Sequence, residues 1–111
     1  MDKKRLIRVY IASPYTIGDV AVNVKLQMDV FDELANAGFC PFAPLWSHFQ
    51  HIAHPRVYTD WIKFDIEWEL TCDCLLRLEG ESKGADGEVQ LAIDNGIPVF
   101  YSIGELITYY I

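Results

Sequence analysis

The sequence predicts an α/β protein with a small parallel sheet, because strand-like and helix-like segments alternate along its length. Apolar runs typical of buried strands occupy residues 6–12, 39–42, 72–78 and 97–101. Segments with helical spacing lie between them, so crossovers join the strands, which therefore run parallel. Such helices cover both faces of the sheet. We therefore expect residues 1–111 to form one domain, a Rossmann-like or flavodoxin-like three-layer sandwich of about four or five strands.

The first half of the chain is predicted to form a strand, a loop and a long helix. In the first strand the odd-numbered residues share one face and Tyr10 lies on the other. A Ser-Pro-Tyr loop at residues 13–18 follows, and Asp19 is of the residue type that caps helices. Gly38 is predicted to end the helix. Its apolar positions recur at helical spacing: Val20, Val24, Met28, Phe31, Leu34 and Ala35.

The second half is predicted to contain one long loop and three helices. Residues 43–57 hold two prolines and all three histidines and are predicted as a loop, before a helix at residues 58–70. A loop rich in Ser and Gly, residues 78–88, precedes the next helix, which ends at residues 95–96. Residues 103–111 are predicted as a short helix. Its apolar side chains should dock on the same domain or on a neighbouring subunit.

The composition limits the classes of partner. Acidic residues outnumber basic ones by 16 to 9, and the formal charge of −7 argues against a protein that binds a nucleic-acid backbone. No apolar run is long enough to span a bilayer, and the first residues do not resemble a signal peptide. The three cysteines are an odd number. We expect a reduced, cytoplasmic protein with no nucleic-acid or membrane partner.

The loop at residues 78–88 is where we expect the chemistry. Ligands of parallel sheets bind outside the carboxyl ends of the strands, where this loop meets residues 13–18. Its Ser and Gly residues, next to a helix start, suit a small anion. Glu88 then has two interpretations, a carboxylate that complements the helix dipole or a reactive group. The second needs another carboxyl, and Asp65 is the candidate, either as a solvated residue at the edge of its helix or as one held near apolar surface with a raised pKa. Tyr10 and Asp65 could reach the same crevice.

The histidines and cysteines give weaker signals. His48, His51 and His54 are spaced by three, but the segment lacks nearby Cys or carboxylate ligands for zinc. We therefore favour a pocket-lining loop with one ligand-contacting histidine and no metal. Cys72 and Cys74 are interpreted as structural thiols. The glycines match neither a dinucleotide fingerprint nor a P-loop, so no cofactor is predicted.

One motif and its surroundings carry a family resemblance. Residues 82–88 read Ser-Lys-Gly-Ala-Asp-Gly-Glu, downstream of Asp65 and Asp73. Further matching pieces are residues 9–15, Asn23, residues 38–44, Ala92 and residues 96–99. With these pieces the chain resembles, over nearly its whole length, the nucleoside 2-deoxyribosyltransferase superfamily, closest to its small bacterial and phage branches. It is similar, more loosely, to the 2′-deoxynucleoside 5′-monophosphate N-hydrolases.

The resemblance implies roles for individual residues. Glu88 matches a nucleophile that attacks C1′ of the sugar, Asp65 an acid that helps protonate the departing base, and Tyr10 a tyrosine that orients the nucleophile. Ser82 matches a serine that binds a 5′-phosphate, whereas Asp73 is expected to cap the strand or end a helix. Further substrate contacts are expected from Ser13, Pro14, Tyr15, His48, Gly84, Ala85 and Asp86. The resemblance also implies a homodimer or larger homo-oligomer.

The predicted function is cleavage of the N-glycosidic bond of a nucleoside or nucleoside 5′-monophosphate. A covalent glycosyl-Glu88 intermediate would be resolved by water or by a second base. Two alternatives stay open. The first is a nucleotide-binding or sensing module without chemistry, because fold alone does not fix function. The second is a structural subunit that assembles through its apolar tail.

Overall fold

The sheet consists of four parallel strands in the order β2-β1-β3-β4, in a computed structural model that describes residues 5–111. The strands are β1 (Arg8–Ala12), β2 (Cys40–Phe42), β3 (Cys74–Arg77) and β4 (Val99–Phe100). The helices are α1 (Val20–Asn36), α2 (Ser47–Ala53), α3 (Tyr58–Glu69), α4 (Lys83–Asp94) and α5 (Ile103–Tyr110). The chain moves from β1 to β2 in one direction and then past β1 to β3 in the other. The carboxyl ends of β1 and β3 therefore flank the switch point at which α/β sheets bind ligands.

Alternating side chains of the central strands form two cores, one on each face of the sheet. Val9 and Ile11 pack with residues of α1 and α5. Tyr10 and Leu75 pack on the other face with residues of α4. Helices thus cover both faces, which confirms the predicted α/β sandwich, its parallel strands and the alternation in β1.

Several local signals place the element ends as the sequence predicts. The Asp19 carboxylate accepts a hydrogen bond from the Val22 amide at 3.1 Å and caps α1. Gly38 follows the end of α1 with a φ of +97°, a conformation that glycine adopts without strain. The Asp73 carboxylate accepts from the Arg8 amide at 2.8 Å and pairs with the Arg5 guanidinium at 2.6 Å. Asp73 therefore ties the start of β1 to the start of β3, a structural role.

The prediction of a loop over residues 43–57 is wrong. A 3-10 turn, Pro44–Trp46, leads directly into α2. Pro44 suits the first position of a helical turn, where its missing N–H is not needed, so here it starts a helix rather than breaking one. No residue of α2 is buried, which explains why its sequence lacks an apolar stripe.

Helix α4 begins earlier than predicted. Ser82 is its N-cap and accepts from the Ala85 amide at 3.0 Å, so two glycines, Gly84 and Gly87, lie inside the helix. Glu88 consequently occupies the second turn rather than the first. Its carboxylate is too far along the helix to act as a simple dipole partner at the N-terminus.

The C-terminal residues dock on the same chain, one of the two predicted outcomes. Leu106 is fully buried in the core, and the rings of Tyr109 and Tyr110 contact Phe100 at centroid distances of 5.2 and 6.1 Å. The predicted homo-oligomer stays a prediction. Within residues 5–111, no helix has the length and apolar character needed to cross a membrane.

Candidate active site

A cavity of about 670 Å³ opens at the carboxyl ends of β1 and β3. One wall is formed by the loop after β1 and the start of α4, and the opposite wall by α2 and α3. Its volume suits a ligand the size of a nucleoside or nucleotide. The cavity opens at the switch point between β1 and β3, where the sequence predicts that a ligand binds.

Glu88 lies in the cavity floor and is hydrogen-bonded to Tyr10, which is buried behind it and does not itself line the cavity. The Tyr10 side chain is fully buried, and its hydroxyl donates to the Glu88 carboxylate, which lines the cavity. Burial, reinforced by the negative charge of Glu88, raises the pKa of Tyr10 far above its usual range. The hydroxyl therefore keeps its proton and holds the Glu88 carboxylate in one orientation. The structure brings together two residues that lie 78 positions apart.

Asp65 of α3 lines the same cavity as Glu88. Burial raises the pKa of Asp65 to about 7. Burial also raises the pKa of Glu88 to about 7, against the hydrogen bond from Tyr10, and the charge of Asp65 adds to the rise. Two carboxyls with similar pKa values that influence each other titrate as a pair. Near neutral pH this pair can hold one ionised and one protonated carboxyl, the arrangement that acid–base chemistry requires.

Glu69 is a third carboxyl at this end of the molecule, and sequence reasoning missed it. It lies one helical turn after Asp65, and only 1% of the residue is exposed. Within the part of the chain that the structure describes, neither carboxyl oxygen has a hydrogen-bond partner. Burial, with the negative charges of Glu88 and Asp65, raises the pKa of Glu69 to about 8. The signal that could have found Glu69 is its spacing of four from Asp65 on one face of a helix.

Gln27 and Asn23 of α1 fix the loop that follows β1. The Gln27 amide donates to Ser13 Oγ at 2.8 Å and to the Ile11 carbonyl, and it accepts from the Leu45 amide at 2.9 Å. Asn23 donates to two loop carbonyls, those of Tyr15 and Ile17, at 3.0 and 2.9 Å. Buried Gln27 therefore joins the loop after β1 to the turn before α2.

The loop after β3 is held by Arg77. Its guanidinium donates to the carbonyls of Leu78 and Gly80 and pairs with Asp86 at 2.9 Å. Gly80 has a φ of +120°, and a Cβ atom there would lie only 2.8 Å from Pro14 Cγ. The loops after β1 and β3 are therefore in direct contact.

The wall formed by α2 and α3 contains two histidines in different hydrogen-bonding situations. The Tyr15 hydroxyl bonds His48 Nδ1 at 2.6 Å. His51 Nδ1 accepts from the indole N–H of Trp61 at 2.9 Å and from the backbone amide of Arg56 at 3.2 Å. Both histidines line the cavity, as do Trp61 and Arg56. The sequence predicts Asp65 and His48 in this wall, but it does not predict His51, Arg56 and Trp61, because residues 43–57 are interpreted as a pocket-lining loop with one ligand-contacting histidine.

Most of the predicted site residues share one cavity. Its lining includes these predicted residues: Ser13, Tyr15, His48, Asp65, Ser82, Gly84, Ala85 and Glu88. Two predicted substrate contacts do not line it. Pro14 contacts Gly80, and Asp86 points to Arg77. Within residues 5–111 no three His, Cys, Asp or Glu side chains are grouped closely enough to hold a metal ion.

The fold has a solved counterpart among enzymes that act on nucleosides. A solved 2-deoxyribosyltransferase from the psychrotolerant bacterium Bacillus psychrosaccharolyticus superposes with a TM-score of 0.58 and 22% sequence identity. The match covers 83% of this chain and 69% of that enzyme. At this identity the likeness shows a shared fold, that of a 2-deoxyribosyltransferase.

A family model matches most of the sequence. The chain belongs to a domain family of unknown function, DUF7768, whose model matches residues 7–102. No curated protein matches the chain. The matched range includes every cavity residue discussed above.

Proposed function

We propose that this chain is a single nucleoside 2-deoxyribosyltransferase-like domain that cleaves the N-glycosidic bond of a deoxynucleoside or its 5′-monophosphate. The observation that carries the proposal is the Glu88 carboxylate, oriented by Tyr10 in a cavity that it shares with Asp65. A nucleophilic carboxylate and a second carboxyl with a raised pKa are the two groups that a retaining glycosidic cleavage uses. The shared fold with a 2-deoxyribosyltransferase supports the same class of chemistry.

The first step transfers the sugar to the protein. An ionised Glu88 oxygen forms a bond to C1′ while the bond from C1′ to the base nitrogen breaks, and the electron pair of that bond goes to the base. Asp65 gives its proton to the departing base, directly or through a water molecule. Tyr10 keeps Glu88 aimed at C1′, because its hydroxyl stays protonated.

The second step releases the sugar. In hydrolysis a water molecule attacks C1′, and the ionised Asp65 removes its proton as the bond to Glu88 breaks. In transfer the nitrogen of a second base takes the place of water. Lys83 and Ser82 at the start of α4, with Arg56, which also pairs with Asp60 at 3.2 Å, supply positive charge and donors for a 5′-phosphate, against the negative charge of Glu81 in the same lining. These groups favour a nucleotide substrate and hence the monophosphate N-hydrolases among the predicted relatives.

The direct test is a panel of deoxynucleosides and deoxynucleoside 5′-monophosphates. We expect release of free base, measured by chromatography, with a higher kcat/KM for the monophosphates. Addition of a second free base separates transfer, which gives a new nucleoside, from hydrolysis, which does not. Absence of base release from every compound would contradict the proposal. Thermal stabilisation by the same nucleotides without turnover would then indicate a nucleotide-binding module.

The rate should depend on pH through the pair of carboxyls. Glu88 must be ionised, so activity is lost as the pH falls below about 7, and Asp65 must be protonated, so activity is also lost as the pH rises above about 7. We expect a bell-shaped profile of kcat/KM between pH 5 and 9 with its maximum near neutrality. In Asp65→Asn the rate should fall and the alkaline limb should flatten. A wild-type profile that stays level from pH 5 to 9 would exclude these two roles.

A further inference from the structure

Hydrogen bonds fix the tautomer of His51. The indole N–H of Trp61 and the backbone N–H of Arg56 can only donate, and both donate to His51 Nδ1, at 2.9 and 3.2 Å. Nδ1 must therefore carry a lone pair, and the proton of the neutral imidazole is on Nε2. A cationic ring would put a proton on the nitrogen that already accepts two N–H groups.

The other ring nitrogen is then a donor in the cavity wall. His51 lines the cavity, and among the residues that the structure describes no hydrogen bond is made by Nε2. His48 differs, because its Nδ1 bonds the Tyr15 hydroxyl, which can donate or accept. His51 is thus a fixed donor, whereas His48 can adapt to either kind of partner.

We propose that His51 is a specificity-determining residue whose Nε2–H donates to a carbonyl oxygen on the substrate base. This inference rests on the proposed function and names its substrate class: bases with an oxo group at C6 of a purine or C4 of a pyrimidine, such as hypoxanthine or uracil, over the counterparts with an amino group at that position, adenine and cytosine. A fixed N–H donor forms a hydrogen bond with the oxo oxygen, which is an acceptor. It cannot form one with the amino group, which is itself a donor. Sites built around such a fixed polar group reject the mismatched analogue strongly.

The same hydrogen bond should strengthen during the reaction. As the bond from C1′ to the base breaks, the electron pair that the base receives spreads to its oxo oxygen. A donor already in place stabilises this charge without reorganisation. His51 is therefore expected to act on kcat as well as on KM for oxo bases.

The test compares matched substrates and variants. For the wild type we expect kcat/KM to be at least tenfold higher for 2′-deoxyinosine 5′-monophosphate than for the 2′-deoxyadenosine compound, and likewise for deoxyuridine over deoxycytidine monophosphate. His51→Phe keeps a planar ring without the donor. It should lower kcat/KM for the oxo substrates by ten- to a hundredfold and change that for the amino substrates less than threefold. His54→Phe, outside the cavity, is the matched control and should keep the wild-type ratio.

The ratio of kcat/KM for the oxo substrates to kcat/KM for the amino substrates separates a loss of specificity from damage to the fold. A cavity wall loosened by the substitution would lower both values together. Affinities for the same nucleotides, measured by calorimetry, keep the test independent of turnover. Turnover without an oxo preference, or with a preference that His51→Phe retains, overturns the role of His51 and leaves the proposed function intact. Binding with a His51-dependent oxo preference but no cleavage supports the role and overturns the proposed function. Absence of both binding and cleavage overturns both.

Discussion

Replacement of Glu88 by glutamine is expected to lower the rate of base release by at least about a thousandfold. Glutamine has nearly the same size and can still accept the hydrogen bond from Tyr10, so the cavity floor should keep its shape. It lacks the negative charge and the nucleophilic oxygen that would attack C1′. The loss should therefore appear mainly in kcat, with nucleotide affinity little changed.

A control variant and a mass measurement test whether the loss of activity arises from the missing nucleophile. Glu67→Gln is the same chemical change at an exposed position of α3 and should retain the wild-type rate. Rapid acid quenching followed by intact-mass measurement should detect a sugar adduct on the wild type and none on Glu88→Gln. If Glu88→Gln keeps more than a tenth of the wild-type rate, Glu88 is not the nucleophile.

Replacement of Glu69 by leucine is expected to stabilise the fold, and more so as the pH rises. The folded state holds Glu69 protonated up to a pKa of about 8, whereas the unfolded chain releases this proton near its ordinary value of 4.5. Between these values the unfolded state binds fewer protons, so stability is lost as the pH increases. The burial of this unpartnered carboxyl then costs about 3 kcal/mol at pH 7. Leucine removes the titrating group and keeps an apolar side chain of similar size.

Urea unfolding at pH 4.5 and pH 8 measures this difference. The gain in the free energy of unfolding for Glu69→Leu should be small at pH 4.5, where the carboxyl is protonated in the folded state, and should grow to a few kcal/mol at pH 8. Glu67→Leu, at the exposed position, should show no comparable dependence on pH. A Glu69→Leu variant that is less stable than the wild type at pH 8 would mean that Glu69 has a stabilising partner.

The sequence predicts the sheet and much of the candidate site because the signals for both are local. Strand alternation identifies the two faces of β1, and Asp19 and Gly38 mark the helix ends through their own hydrogen-bonding and backbone preferences. The motif indicates Glu88, the neighbouring apolar residues indicate Asp65, and both carboxyls line one cavity.

The features that the sequence does not predict depend on contacts between distant parts of the chain. Helix α2 has no buried residue, so its own sequence carries no apolar stripe at helical spacing. The turn before α2 is held by Gln27 and by the ring of Phe31, whose centroid lies 4.9 Å from that of the Trp46 ring. The role proposed for His51 depends on a hydrogen bond from Trp61 on the next helix. A charged residue such as Glu69 is normally expected at the surface, and its spacing of four from Asp65 is too weak a signal to mark it as an exception.

The contact between Pro14 and Gly80 has a consequence for how a ligand enters. Gly80 leaves no room for a side chain against Pro14, so the loops after β1 and β3 brace each other and cannot separate without losing that contact. The opposite wall contains α2, which has no side chain anchored in the core. Its displacement would disturb few buried contacts. The loops that contact each other lie on the side of Glu88, the proposed nucleophile, whereas His48 and His51 lie on the side with few buried contacts, so that in the proposed function ligand admission and base selection would fall to the same short helix.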